Sequence, residues 1–129
     1  MIDYTIKKEF DKPMEVVLKE VKEELGKEGF GILSEIDMKE TFKEKLEKDF
    51  RKYKIMGACN PKFAYEGLQS EDDLGVLLPC NFVVYENEDS KTTVAAIDPV
   101  KLLSLSENKD LVELGEKIKN RFKKAINKL

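Results

Sequence analysis

Two short segments hold both cysteines of the chain, Gly57-Ala58-Cys59-Asn60-Pro61 and Leu78-Pro79-Cys80-Asn81, and in each the cysteine is followed at once by an asparagine. A thiol can attack, be oxidised or ligate a soft metal, but only its thiolate does so readily. Asn60 is a good helix N-cap and Pro61 a favoured first helical residue, which places Cys59 just ahead of a helix N-terminus. Unpaired backbone N–H groups there favour an anion, whether a thiolate or a bound carboxylate or phosphate. A third polar group stands elsewhere: Asp37, Thr41 and Lys45, four apart, form one column on a predicted helix beside the apolar row Met38, Phe42, Leu46. Such a column can border a pocket, and the Lys45 ammonium could balance an anion held after Asn60.

Three readings of these residues stay open. The first is a site for a small ligand or anion built from Asp37, Thr41, Lys45, Cys59, Asn60, Cys80 and Asn81. The second is thiol chemistry, with Cys59 activated and Cys80 as resolving partner or soft-metal co-ligand, which requires the two Cα atoms to approach within about 7 Å. The third treats both thiols as small core hydrophobes and the asparagines as a cap and a pin, so that the protein acts through an interface. The chain has no histidine, which removes Ser-His-Asp and Cys-His catalysis, and a structural zinc site would need two cysteines plus carboxylates. No cofactor or resident metal is expected, and whether the protein is an enzyme is left open.

Several elements must position these groups. Residues 2 to 10 alternate as a strand, and Asp11 and Pro13 offer a start for a helix whose buried stripe is Met14, Val17, Leu18, Val21 and Leu25, stopped by Gly26 and Gly29. Phe30 to Ile36 reads as the next strand. Asp37 with Glu40 makes a capping-box start for a helix from Met38 to about Asp49. Tyr53 to Ala58 is a strand leading into the first cysteine segment, and a short helix follows from Pro61 to Leu68, with Phe63, Ala64 and Leu68 inward. Pro79 predicts a bulge or an edge position. Beyond it Cys80, Phe82 and Val84 face one way and Asn81, Val83 and Tyr85 the other, and a hairpin through residues 86 to 91 leads into the strand Thr92 to Ile97. Asp98-Pro99 reads as a strand stop, Val100 to Leu105 as a short turn or helical piece. A long amphipathic helix from Lys109 to Leu129 buries Leu111, Leu114, Ile118, Phe122, Ala125, Ile126 and Leu129.

Composition bounds the rest. At 129 residues, 41% of them hydrophobic, with a net charge of −3, the expectation is one domain, 1 to 129, that builds its own core. Residues 66 to 98 hold eight acids (Glu66, Glu71, Asp72, Asp73, Glu86, Glu88, Asp89, Asp98) against the single base Lys91, whereas residues 99 to 129 hold eight bases against four acids. The basic tail interleaves with Glu113 and Glu116 on the wet side of a helix, so nucleic acid is not expected as a partner. With neither a signal peptide nor a run of 18 apolar residues, the expected setting is the cytoplasm, without membrane contact.

Taken in order, Gly29-Phe30-Gly31, Ile36-Asp37 with Thr41, Lys45 and Leu46, Gly57-Ala58-Cys59-Asn60-Pro61 with Ala64, Leu77-Leu78-Pro79-Cys80-Asn81 and Asp98-Pro99 resemble the family catalogued as domain of unknown function 302. The resemblance spans nearly the whole chain. It implies a two-layer α+β domain of β-α-β(4)-α type, a curved, mostly antiparallel five-stranded sheet packed by two long helices with two short inserted helices. It also implies a homodimer. One position departs from the family pattern: Glu47 stands where glycine usually follows Lys-Leu. Without the resemblance, the early alternation of strands and helices also allows a doubly wound parallel sheet.

Overall fold

The computed structural model describes residues 3–129. Five strands, β1 (Thr5–Phe10), β2 (Gly31–Asp37), β3 (Tyr53–Cys59), β4 (Cys80–Glu86) and β5 (Thr92–Ile97), form one sheet in the order β1-β5-β4-β3-β2, and every pairing is antiparallel. Five helices complete the α+β fold: α1 (Met14–Lys27), α2 (Met38–Leu46), α3 (Pro61–Ser70), α4 (Pro99–Leu103) and α5 (Lys109–Asn127). The doubly wound parallel alternative is thereby excluded. Ile2, expected to begin the first strand, lies outside the described residues.

The period of each element decides its buried side. Alternation along β4 sends Cys80, Phe82 and Val84 inward, while helical spacing along α5 presents Leu111, Leu114, Ile118 and Phe122 to them. Phe82 and Phe122 meet edge to face at 4.7 Å between centroids, and Phe30 packs on Phe122 at 4.9 Å. Each such ring contributes roughly 1.5–3 kcal/mol on burial. The stripe Met14, Val17, Leu18, Val21 and Leu25 of α1 joins the same core as expected.

Some local expectations are corrected. Asp11 makes no cap; α1 begins after Pro13, whose side chain has nothing to donate or accept. The helix α2 ends at Leu46 and not near Asp49, because Glu47 enters the left-handed region at φ 55° and turns the chain back. Phe63 is buried as expected, but Leu68 is exposed, and the second buried position on α3 is Gly67, where a Cβ would lie 2.4 Å from Leu74. Pro79 causes no bulge in β4. It stands just ahead of this central strand, and the irregular pairing is on β2 instead, between Ile32 and Ser34.

Asp98 does more than stop a strand. Its Oδ1 accepts the N–H groups of Val100 (3.0 Å) and Lys101 (3.4 Å), capping α4, and its Oδ2 accepts Lys119 Nζ at 2.8 Å. Burial pushes this carboxyl up, but Lys119 and the two N–H donors outweigh it and hold it below the ordinary value. The sheet end, α4 and α5 are thus tied at one buried carboxylate.

Candidate functional site

The cysteine segments do fold together. The β3–β4 register places Ala58 opposite Cys80 and Gly57 opposite Asn81, so two stretches distant in sequence become neighbours. Cys59, half-buried, and Cys80, 3% exposed, line one crevice with Asn60, Phe30, Phe63 and Leu114. Its volume is about 20 Å³, room for a single water rather than a metabolite. Burial, with Cys59 beside it, pushes the Cys80 thiol up to about 12, and burial raises Cys59 as well. Both thiols are therefore protonated at neutral pH, the reverse of what an activated thiolate needs.

Asn60 itself occupies the start of α3. Its Oδ1 accepts the N–H groups of Lys62 (3.2 Å) and Phe63 (3.4 Å), filling the cap itself, while its Nδ2 donates to the Glu28 carbonyl at 3.4 Å. That contact needs Gly29, which sits at φ 88° and whose Cβ, if present, would lie 2.9 Å from Nδ2. Gly57 has a matching role on the other side of the sheet: a Cβ there would meet Pro79 Cγ at 2.5 Å and Ser34 Oγ at 2.6 Å. Most of the two motifs is thus spent on joining α1, α3, β2, β3 and β4.

The remaining expected site residues lie apart from the crevice. Asp37 Oδ1 caps α2 by accepting the Glu40 N–H at 3.0 Å, and the Thr41 hydroxyl donates to the Asp37 carbonyl at 2.8 Å. Asp37 pairs with Lys54 at one end of the β2–β3 ladder, and Cys59 pairs with Gly31 at the other, roughly 20 Å of strand away. Lys45 is exposed on α2 and does not line the crevice. Asn81, by alternation, faces the opposite side of the sheet from Cys80.

That opposite side is the larger feature. The helices α1 and α5 pack on one face of the sheet, and the other face carries three cross-strand rows. The central row runs Lys7, Ala95, Val83, Ile55. One flanking row runs Glu9, Thr93, Tyr85, Tyr53, and the other includes Asn81 and Gly57. Tyr53 and Tyr85 stack with centroids 5.2 Å apart and planes within 10°. Aromatic contact continues from Tyr53 to Phe50 and on to Phe42 of α2. Small Ala95 leaves a groove between the tyrosine pair and Asn81, with Tyr4, Thr5, Lys7 and Ile97 on its rim, of about 260 Å³. Burial, then Tyr85 and Tyr4 close by, push the Tyr53 hydroxyl above its ordinary value. Among the described residues, no group of three or more His, Cys, Asp and Glu side chains could hold a metal ion, and no helix is long and apolar enough to cross a membrane.

Comparison with known proteins agrees with this architecture. The sequence profile of the domain of unknown function DUF302 matches residues 6–129. The crystal structure of an uncharacterized conserved DUF302 protein from Bacillus stearothermophilus superposes with a TM-score of 0.91 at 26% identity, covering 98% of this chain and 98% of that one. No curated protein matches the chain.

Proposed function

The chain belongs to the DUF302 family, and from that premise, which supplies a fold and no activity, we propose that it binds a small molecule in the groove on the sheet face opposite α1 and α5. The observation that carries this reading is the contrast between the two faces of the cysteine segments. Toward the helices the crevice at Cys59 and Cys80 holds about 20 Å³, while Asn81 on the other face borders a groove of about 260 Å³ with an apolar floor and polar rim. Ligand sites combine such a floor with a few fixed polar groups. Of the seven residues singled out from the sequence, Asn81 is the one this site uses. Thermal-shift screening of a small-molecule library tests it. Hits should raise the melting temperature of the wild-type chain and lose that effect in Val83→Arg, which fills the floor. Hits that act equally on both, or a library without hits, would count against the groove.

A second copy of the chain is proposed for a different surface. The helix α2 has no buried residue and carries Leu46, 58% exposed; the edge strand β2 before it exposes Leu33 (68%) and Ile36 (46%), and the segment after it Phe50 (37%). Lys39, Lys43 and Lys48 alternate there with Glu40, Glu44 and Asp49, a pattern that complements itself when two copies meet about a two-fold axis. Sedimentation equilibrium should give twice the chain mass, falling to one for Leu46→Glu combined with Ile36→Glu. A wild-type monomer at high micromolar concentration would remove the proposal.

A further inference from the structure

The groove's lining selects among ligands. Its floor, Val83 and Ala95, is low and apolar, bounded on one side by the stacked rings of Tyr53 and Tyr85. A flat aromatic body fits beside such rings and gains from both area and quadrupole contacts. The polar groups gather at the other boundaries. Lys7 closes the row Lys7, Ala95, Val83 at the β1 side, and Asn81 stands on the flank opposite the tyrosines.

Charge is what distinguishes Lys7. The nearby open-face carboxylate Glu9 is already taken by Lys91 at 3.7 Å and by Asn87 at 2.8 Å. Lys7 makes no ion pair within 4.0 Å among the described residues, and Asp3, the acid it does influence, bonds the Thr5 N–H at 3.0 Å and hydroxyl at 3.1 Å. An ammonium and a carboxamide therefore border an apolar slot with capacity for a negatively charged acceptor. The volume, about 260 Å³, falls just under the range of about 300–1,000 Å³ usual for small-molecule pockets, which suits one or two rings and not a nucleotide.

Resting on the groove reading above, we propose that the ligand is a planar aromatic carboxylate of one or two rings, its ring over Ala95 and Val83 beside the tyrosine pair and its carboxylate toward Lys7 and Asn81. Calorimetric titration with 2-naphthoate, its neutral analogue 2-naphthamide and cyclohexanecarboxylate tests this in the wild type, Lys7→Met and Val83→Arg. The expected order is 2-naphthoate tightest, by about fivefold or more over each of the others, since one partly exposed charge-assisted contact and one aromatic ring are at stake. In Lys7→Met, whose exposed side chain bears no part of the core, the preference for naphthoate over naphthamide should vanish; Val83→Arg should abolish binding of all three. Naphthamide binding as tightly as naphthoate, or a preference that survives Lys7→Met, overturns the ligand class while leaving the groove. Naphthoate binding that survives Val83→Arg overturns the groove as well, and no naphthoate binding in a protein whose library hits still need Val83 overturns the class alone.

Discussion

At the scale of single residues, the two cysteines illustrate how burial outranks a motif. A thiol next to a helix N-terminus is expected to ionise early, yet Cys59 is held up by desolvation and Cys80 far more so, to about 12. A pKa above the ordinary 9.0 leaves under about 1% thiolate at pH 7. Iodoacetamide should accordingly leave Cys80 unmodified in the folded protein at pH 7 and label Cys59 slowly. The Cys59 rate should still be climbing above pH 9, because the thiolate fraction grows until pH passes the raised value. Rapid labelling of Cys59 at pH 7, with a plateau below pH 8, would restore the thiol reading. Asn60 was legible from local chemistry alone, since its cap on α3 needs only the residues that follow it. Its second bond, to the Glu28 carbonyl, depends on how α1 returns to the sheet and has no local signature.

At the scale of elements, the boundaries follow from backbone conformation more than from hydrophobic pattern. The helix α2 was expected to run from its capping-box start to about Asp49, but Glu47 adopts φ 55°, ψ 33° and its N–H returns to the Lys43 carbonyl. A left-handed position carries a cost of about 1 kcal/mol for a residue with a Cβ, which glycine avoids. That gives a physical reason for the glycine of the family pattern at this place. Glu47→Gly should stabilise the protein by about 0.5–1 kcal/mol in urea unfolding, with an unchanged m-value; destabilisation would mean that the Glu47 side chain makes a contact worth more than the backbone strain. Strand faces were legible by alternation, and Asn81, Val83 and Tyr85 do share one side as read. The misplaced bulge has a different origin. Pro79 fits because Gly57 on the neighbouring strand leaves room for it, and which residue lies opposite is a matter of register that neither segment encodes by itself.

At the scale of the whole molecule, strand order decides which groups can act together. Antiparallel order β1-β5-β4-β3-β2 brings Lys7, Ala95, Val83 and Tyr53 onto one face, although they come from four different strands. Position along the adjacent β2–β3 ladder, with Asp37 at one end and Cys59 at the other, separates Asp37, Thr41 and Lys45 from the cysteine crevice. The seven-residue site drawn from sequence therefore divides into a cap on α2 (Asp37, Thr41), an exposed lysine on the same helix (Lys45), a narrow crevice (Cys59, Asn60, Cys80) and one residue, Asn81, that borders open space. Tyrosines carried the missing signal: the chain has four and no tryptophan, and Tyr4, Tyr53 and Tyr85 line the groove. Alternation alone put Tyr85 on the same face as Asn81, but only the fold brings Tyr53 against Tyr85.

Whether binding occurs on the sheet face opposite α1 and α5 or at the cysteines is read directly by amide chemical-shift mapping of the isotope-labelled protein titrated with a thermal-shift hit. The largest shifts should fall on Thr5, Lys7, Tyr53, Asn81, Val83, Tyr85 and Ala95, with Ala64, Leu114 and Ile118 around the crevice little changed. Shifts concentrated on that second group, with the open face unmoved, would contradict binding in the groove.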